Sequence, residues 1–367
     1  MQRLSACVLV GGAAVVLLCF AAVPAFEIVP LETVSETSSN ASIGDLNGDG
    51  KPDIVLVKGR HWQLTTKIFL GDGKGHFTPG PPLPSNATKS YSGSLVDMTK
   101  SGNLDIVLSN DAPDPKLVLV NDGTGRFTIG GTYGDPKWPT RNAAVGDLNG
   151  DGFPDIAVAN RGATSYLCNN DGKLHFQCNP LRNTPSAASI VIRDIDGDGL
   201  NDVVFPCRDN CQSRIFFNRN LDGDGRPWGP ANASIRAIAV ADLNGDGHPD
   251  IAACPERLGC FVYLNDGKGN FGPGIQFQKP QAQPYSMIAA DLNGDGHPDV
   301  IVGYVGAPGV IYYNDGTGKK FDPHSFGDGQ GAIYGMAAGD INGDGRLDLV
   351  AARSDAPSFL LFNRGSK

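Results

Sequence analysis

One nine-residue pattern, Asp-x-Asn/Asp-x-Asp-Gly-x-x-Asp, recurs at 45–53, 147–155, 194–202, 242–250, 291–299 and 340–348, with a weakened copy at 97–105. The first aspartates of successive copies stand 47 to 52 residues apart. Six good copies at so steady a period are not chance. A period of this length marks an array of small structural units that bury their apolar faces only against each other, so the chain reads as one repeat array.

Oxygen-bearing side chains at alternate positions, with glycine where a backbone wrapping a cation turns sharply, suit a hard metal ion. In the first copy Asp45, Asn47 and Asp49 offer side-chain oxygens, Lys51 its backbone carbonyl, and Asp53 a carboxylate able to bind through both oxygens. The equivalent sets are Asp147, Asn149, Asp151, Phe153 and Asp155; Asp194, Asp196, Asp198, Leu200 and Asp202; and Asp242, Asn244, Asp246, His248 and Asp250. Two more follow: Asp291, Asn293, Asp295, His297 and Asp299; then Asp340, Asn342, Asp344, Arg346 and Asp348. All-oxygen donors predict calcium, about six ions. The copy at 97–105 has Thr99, Ser101 and Asn103 at the alternate positions, which weakens its donor set. An EF-hand is excluded, because the twelfth residue of each good loop is Leu56, Val158, Phe205, Ala253, Val302 or Ala351 instead of Glu, and β-type runs follow.

Each repeat follows one plan. A small-residue strand (Ala41 to Gly44) leads into the acidic loop, then come a second strand (Ile54 to Val57), a variable loop, a third strand (Lys67 to Leu70), a Gly-Asp-Gly turn, and a short fourth strand opened by Phe77. Third strand, turn and aromatic recur as Val118 to Phe127, Tyr166 to Phe176, Val262 to Phe271 and Ile311 to Phe321. Asn-Asp-Gly between apolar runs is hairpin chemistry, with Asn and Gly supplying positive φ. Four short antiparallel strands taken seven times predict an all-β, seven-bladed β-propeller, whose radial arrangement protects strand edges. The last repeat stops after Phe359 to Phe362, and Phe26 to Pro30 supplies the missing fourth strand, so the ring is predicted to close by pairing of these two segments.

The formal net charge of −9 would suggest a cationic partner, but 21 of the 39 acidic residues lie within the seven loops. The acidity is therefore mainly ligand, and no basic stripe suits nucleic acid. Arg3, the apolar run Ala6 to Val23 and Val23-Pro24-Ala25 predict a signal peptide over Met1 to Ala25, followed by a propeller over 26–367. The alternative is an uncleaved membrane anchor. Cleavage would leave a secreted, extracellular (or periplasmic) monomer with no membrane span. Its six cysteines form three close pairs, Cys168 with Cys178, Cys207 with Cys211 and Cys254 with Cys260, and local disulfides are expected among fifteen possible connectivities. Asn40, Asn86 and Asn232 are glycosylation acceptors if the host is eukaryotic.

These loops, with Phe271-Gly272 and Gly306-Ala307-Pro308, resemble the FG-GAP or VCBS repeat family, which includes the N-terminal propeller of integrin α subunits and many secreted microbial proteins. The chain carries six good loops where integrin propellers carry three or four, and it has no Arg-Gly-Asp. The resemblance implies calcium loops on one face and partners on the other. Six residues before each first aspartate stand Ser39, Tyr91, Arg141, Ala188, Arg236, Tyr285 and Tyr334, predicted to ring the channel mouth on that opposite face. Tyr91, Arg141, Arg236, Tyr285 and Tyr334 would suit a sugar or an anionic group by stacking and bidentate hydrogen bonding, with Tyr133, Trp138, His61 and Trp62 extending the surface. The competing reading is that they plug the channel by packing on one another.

No nucleophile elbow, metalloprotease helix or Cys–His set is present, and no catalytic residue is assigned. His248 and His297 sit in metal loops, and His76 and His175 precede hairpin aromatics. The expected function is a calcium-binding, lectin-like or integrin-like module for a carbohydrate or protein ligand. The alternative is a polysaccharide lyase or other carbohydrate-active enzyme using Arg, Tyr and His around the channel.

Overall fold

The computed structural model describes residues 23–365, so all but the last three residues of the predicted signal peptide lie outside the described residues. Seven four-stranded antiparallel sheets form the blades of a ring. Blade 1 comprises Ser38–Gly44, Asp53–Lys58, Lys67–Gly71 and Phe77–Pro79, from the hub outward. The innermost strands of blades 2 to 6 are Ser90–Val96, Thr140–Gly146, Val191–Arg193, Ile238–Ala241 and Pro284–Ala290. Blade 7 runs Ala332–Gly339, Asp348–Ser354 and Phe359–Asn363, and its outer strand is Phe26–Pro30. The predicted closure is thus realised, with Phe26 opposite Asn363 and Pro30 opposite Phe359.

The second strand of each blade explains why these runs are apolar throughout. Side chains alternate faces along a strand, and both faces here meet a neighbouring blade. Ile54 and Leu56 pack with Val350, Ala352 and Leu360 of blade 7, whereas Val55 and Val57 pack with Ile106, Leu108 and Leu117 of blade 2. Seven such apolar clusters fill the seven junctions. The innermost strands are small-residue because they converge. A Cβ on Gly335 would lie 2.5 Å from the Cα of Asn40 in the next blade.

The Asn-Asp-Gly turns depart from expectation in which residue does the turning. Asn121, Asn170 and Asn314 still belong to the third strand, and positive φ falls on glycines such as Gly123 (85°) and Gly125 (77°). The asparagine side chain has other work. Asn314 Oδ1 accepts from the Gly316 and Gly318 amides at 3.2 Å each, while its Nδ2 donates 2.7 Å to the Leu243 carbonyl in the acidic loop of blade 5. Asn121, Asn218, Asn265 and Asn363 reach Leu46, Leu148, Ile195 and Leu292 of their preceding blades in the same way. Blade 1 has Gly71 at this position and Asn170 bonds only within its own blade, so five of seven junctions carry the link.

All three cysteine pairs are disulfides, each within one blade: Cys168–Cys178, Cys207–Cys211 and Cys254–Cys260. Among the described residues the helical content is one 3-10 turn, Asn218–Asn220, and no helix is long and apolar enough to cross a membrane.

Two outcomes are expected. Deleting Phe26–Pro30 strips blade 7 of its outer strand and lowers stability by roughly 3 kcal/mol or more; an unchanged thermal midpoint would contradict the closure. Asn265→Ala and Asn314→Ala each orphan buried carbonyls in two blades and cost about 1–3 kcal/mol in denaturant melts, with Asn170→Ala costing less.

Candidate functional site

The two faces of the ring carry different chemistry. On one, each acidic loop is wound by its own side chains. Asp45 Oδ1 and Oδ2 accept from the Gly48 and Gly50 amides at 2.8 Å each, Asn47 Oδ1 from Asp49 and Asp49 Oδ1 from Lys51 at 3.0 Å. Asp147, Asp194, Asp242, Asp291 and Asp340 cap their loops identically. The glycines stand at positive φ, 73° at Gly48 and 77° at Gly50, where a side chain would be strained.

The ninth-position aspartate has a further role that the sequence reading did not give it. Asp53, Asp105, Asp155, Asp202, Asp250, Asp299 and Asp348 are all 0 % exposed. Each accepts one amide from its own loop and one from the end of the third strand: for Asp53, Leu46 at 2.9 Å and Gly71 at 2.8 Å; for Asp348, Ile341 at 3.2 Å and Asn363 at 2.7 Å. The weakened loop retains this clamp through Asp105, from Met98 at 3.0 Å and Asn121 at 2.9 Å. Burial pushes these carboxyls up against the pull of the amides, to about 7 at Asp299 and about 6 at Asp202, Asp250 and Asp348. In blade 4 oxygens of Asp194, Asp196 and Asp202 lie within 4.8 Å of one another, and Asp196 Oδ1 is buried without a partner. Arg219 reaches in from the 3-10 turn to pair with Asp196 and, at 3.5 Å, Asp198.

Side chains at the seventh position lie across the neighbouring turn. His248 and His297 cover Gly267 and Gly316, as Phe153 covers Gly172 and Lys51 covers Gly73. Leu200 is exposed. His76 and His175 each pair with the aspartate four residues earlier, at 2.9 Å, on the exposed turns.

On the other face the starts of the innermost strands converge, and all seven ring residues, Ser39, Tyr91, Arg141, Ala188, Arg236, Tyr285 and Tyr334, line one cavity of about 240 Å³. They also pack on each other, as the competing reading expects. Arg141 lies 4.2 Å from the Tyr91 ring centre and Arg236 4.1 Å from that of Tyr285, whose ring is 4.4 Å from Tyr334. Both arginines already have acids: Asp111 with Arg141 and Glu256 with Arg236, each at 2.6 Å. Removing Arg141 would leave the half-buried Asp111 without a cation, whereas Glu256 would keep Arg208 at 3.2 Å after loss of Arg236, so the stability cost falls mainly on Arg141.

Arg60, which the spacing rule missed, enters from the loop after the second strand of blade 1. Its guanidinium is 3.5 Å from the Tyr334 ring centre, and its Nη2 donates to Tyr285 Oη at 3.1 Å. No repeat position singles it out, since that loop varies between blades. The arginines shape the phenols around them. Burial pushes the Tyr285 hydroxyl up, but Arg60 and Arg236 overcome this and hold it below the usual range. At Tyr91 burial prevails, and its hydroxyl is raised. Burial and then Arg60 and Arg141 lower His61, whose Nδ1 lies 3.2 Å from Tyr91 Oη.

Of the residues expected to widen this surface, Trp62 is exposed and His61 stands edge-on to Tyr91. Tyr133 does not contribute: it is 1 % exposed, bonded to Ser109 Oγ at 2.9 Å in the core between blades 2 and 3. Trp138 is stacked on Tyr166, 4.0 Å between ring centres, packed against the same cluster. Asn86 and Asn232 are exposed, whereas Asn40 lines the hub cavity.

Among solved structures, the chain is similar to BBS1N in its complex with ARL6DN soaked with lead, at TM-score 0.61 and 11% identity over 95% of this chain and 99% of that one. The same complex soaked with mercury gives 0.59 and 12%, over 94% and 98%. At such identity the likeness is one of fold. Comparison with curated proteins finds no match. A family model described as FG-GAP-like repeat matches residues 45–108, 97–158, 147–205, 194–253, 257–302 and 291–351, and all but the fifth match run from an acidic loop into the second strand of the following blade. With matches spanning most of the propeller, the chain belongs to the FG-GAP-like repeat family.

Proposed function

We propose that this protein is a secreted, calcium-stapled binding module whose ligand, a carbohydrate or a protein, meets the hub face opposite the acidic loops. The observation that carries the reading is the non-equivalence of the hub. Seven like blades present four different residue types there, Ser, Ala, Tyr and Arg, and these line a single cavity. A propeller of this fold is seen with a protein partner in the BBS1N–ARL6DN complex. The three disulfides and the lack of a membrane-crossing helix among the described residues are compatible with an extracellular location.

In the acidic loops, residues at positions one, three and five with the carboxylate at nine would hold calcium, together with the backbone carbonyl at seven. The buried, unpartnered Asp196 oxygen and the three converging carboxylates of blade 4 fit a cation. The bound ion neutralises carboxylates that burial otherwise penalises. Copies in every blade serve the scaffold, because one ligand cannot use six sites around a ring.

A second reading, a polysaccharide lyase or other carbohydrate-active enzyme, is favoured by the Tyr285 phenol held below its usual range beside Arg60. A tyrosine oxygen accepting from an adjacent guanidinium, here at 3.1 Å, is the pair of groups that general-base proton abstraction employs.

Chelation is expected to lower the thermal midpoint reversibly. A site of ~0.1 mM affinity in ~1 mM calcium contributes about 1.4 kcal/mol, and six such sites about 8 kcal/mol; a melt indifferent to EDTA removes the calcium assignment. A glycan array run with and without EDTA is expected to show binding only with calcium present. Incubating each hit and assaying for chain cleavage then separates module from lyase, since a module leaves the glycan intact.

A further inference from the structure

We infer that the hub cavity takes an oxyanion, a carboxylate or sulfate group carried by a glycan, and that Arg60 is the residue that holds it. This deepens the binding-face reading above and rests on it.

Arg60 is 7 % exposed, and its Nη2 is bonded to Tyr285, yet neither Nε nor Nη1 has a hydrogen-bond partner in the protein. Among the described residues no carboxylate pairs with it. The other cavity arginines each have an acid: Arg141 has Asp111, Arg236 has Glu256, and Arg161 has Asp209 at 3.4 Å. No Asp or Glu lines the cavity itself. The guanidinium is held against the faces of Tyr334, Tyr285 and Tyr91, at 3.5, 5.1 and 5.3 Å from their ring centres. Ring faces attract the cation but accept no hydrogen bond in the plane of its unspent N–H groups. A buried charge with donors left over is costly unless a ligand completes it. Ser189 Oγ, buried and also without a partner, lines the same cavity as a second donor.

The anion follows from charge and the glycan from shape. A sugar hydroxyl would satisfy a donor but leave the positive charge uncompensated. An opening of about 240 Å³ flanked by three tyrosine rings admits a group the size of a monosaccharide, with stacking faces for its ring.

The test is calorimetric titration of the calcium-loaded full chain with trigalacturonate, a sulfated chondroitin disaccharide and uncharged maltotriose. Wild type is compared with Arg60→Met, which keeps an apolar stem, and Arg60→Lys, which keeps a charge. Arginine Nε–H resonances are followed in parallel with inorganic sulfate. Expected are binding of an acidic probe but not maltotriose, loss of affinity with added salt, and about tenfold or greater weakening in Arg60→Met, with Arg60→Lys intermediate. The more tightly bound acidic probe identifies the anion. The thermal midpoint of Arg60→Met is expected to equal or exceed that of wild type.

Equal binding of maltotriose, unaffected by either variant, overturns the oxyanion inference and leaves the carbohydrate-binding face standing. Failure of every sugar while sulfate shifts the Arg60 resonance removes the carbohydrate reading, with an acidic protein side chain as the remaining source of the anion. No sugar binding and no sulfate shift overturn the inference, as does a lowered midpoint in Arg60→Met with acidic-probe binding unchanged.

Discussion

Seven aspartates with no exposed surface, Asp53 through Asp348, tie the bottom of every blade together. Each spends one carboxylate oxygen on the second residue of its own acidic loop and the other on a residue at or just past the end of the third strand. A charged acceptor makes these amide bonds stronger than neutral ones, and in blade 4 an oxygen of Asp202 also lies within 4.8 Å of oxygens of Asp194 and Asp196. The blade-to-blade asparagines then bond the carbonyl of that same second loop residue. Loop, third strand and neighbouring blade thus converge on one short segment, so the order of the loop and the order of the ring are one property.

This arrangement separates the face that must repeat from the face that need not. The acidic loops are alike because each supports the same local junction. At the hub, the residues at or just before the starts of the innermost strands lie outside the apolar clusters of the blade junctions, and they vary from Ser39 and Ala188 to Tyr and Arg. Charge is distributed accordingly. Acids gather in the loops, while arginines gather at the hub with their acids set back from the cavity. Asp111 and Glu256 fix Arg141 and Arg236 against tyrosine rings, which leaves the cavity lined by cations and phenols.

Much of the fold was legible because its cause is local and periodic. The acidic pattern fixed the repeat length, the continuous apolar runs such as Ile54 to Val57 reflected burial on both faces, and Phe26–Pro30 could be matched to the strand missing from the last repeat. The seven hub residues were found by counting, since equal spacing from a fixed loop places them at equal depth. What counting could not find depends on contacts between blades. Asn314 looked like a turn residue, but its amide is engaged with a loop over seventy residues away in the chain. Tyr133 looked available, but its hydroxyl has a core partner in Ser109. Arg60 lies in a loop whose length varies between blades, so no register placed it among the tyrosines.

The two ends of the described chain meet, with the Ala25 amide 2.9 Å from the Gly365 carbonyl and the Arg364 amide 2.8 Å from that of Ala25. The circle is therefore completed by hydrogen bonds and not by a covalent link. Where the backbone is interrupted is a matter of genetics more than of architecture: joining these ends and opening a linker between two other blades would leave every junction with the same neighbours.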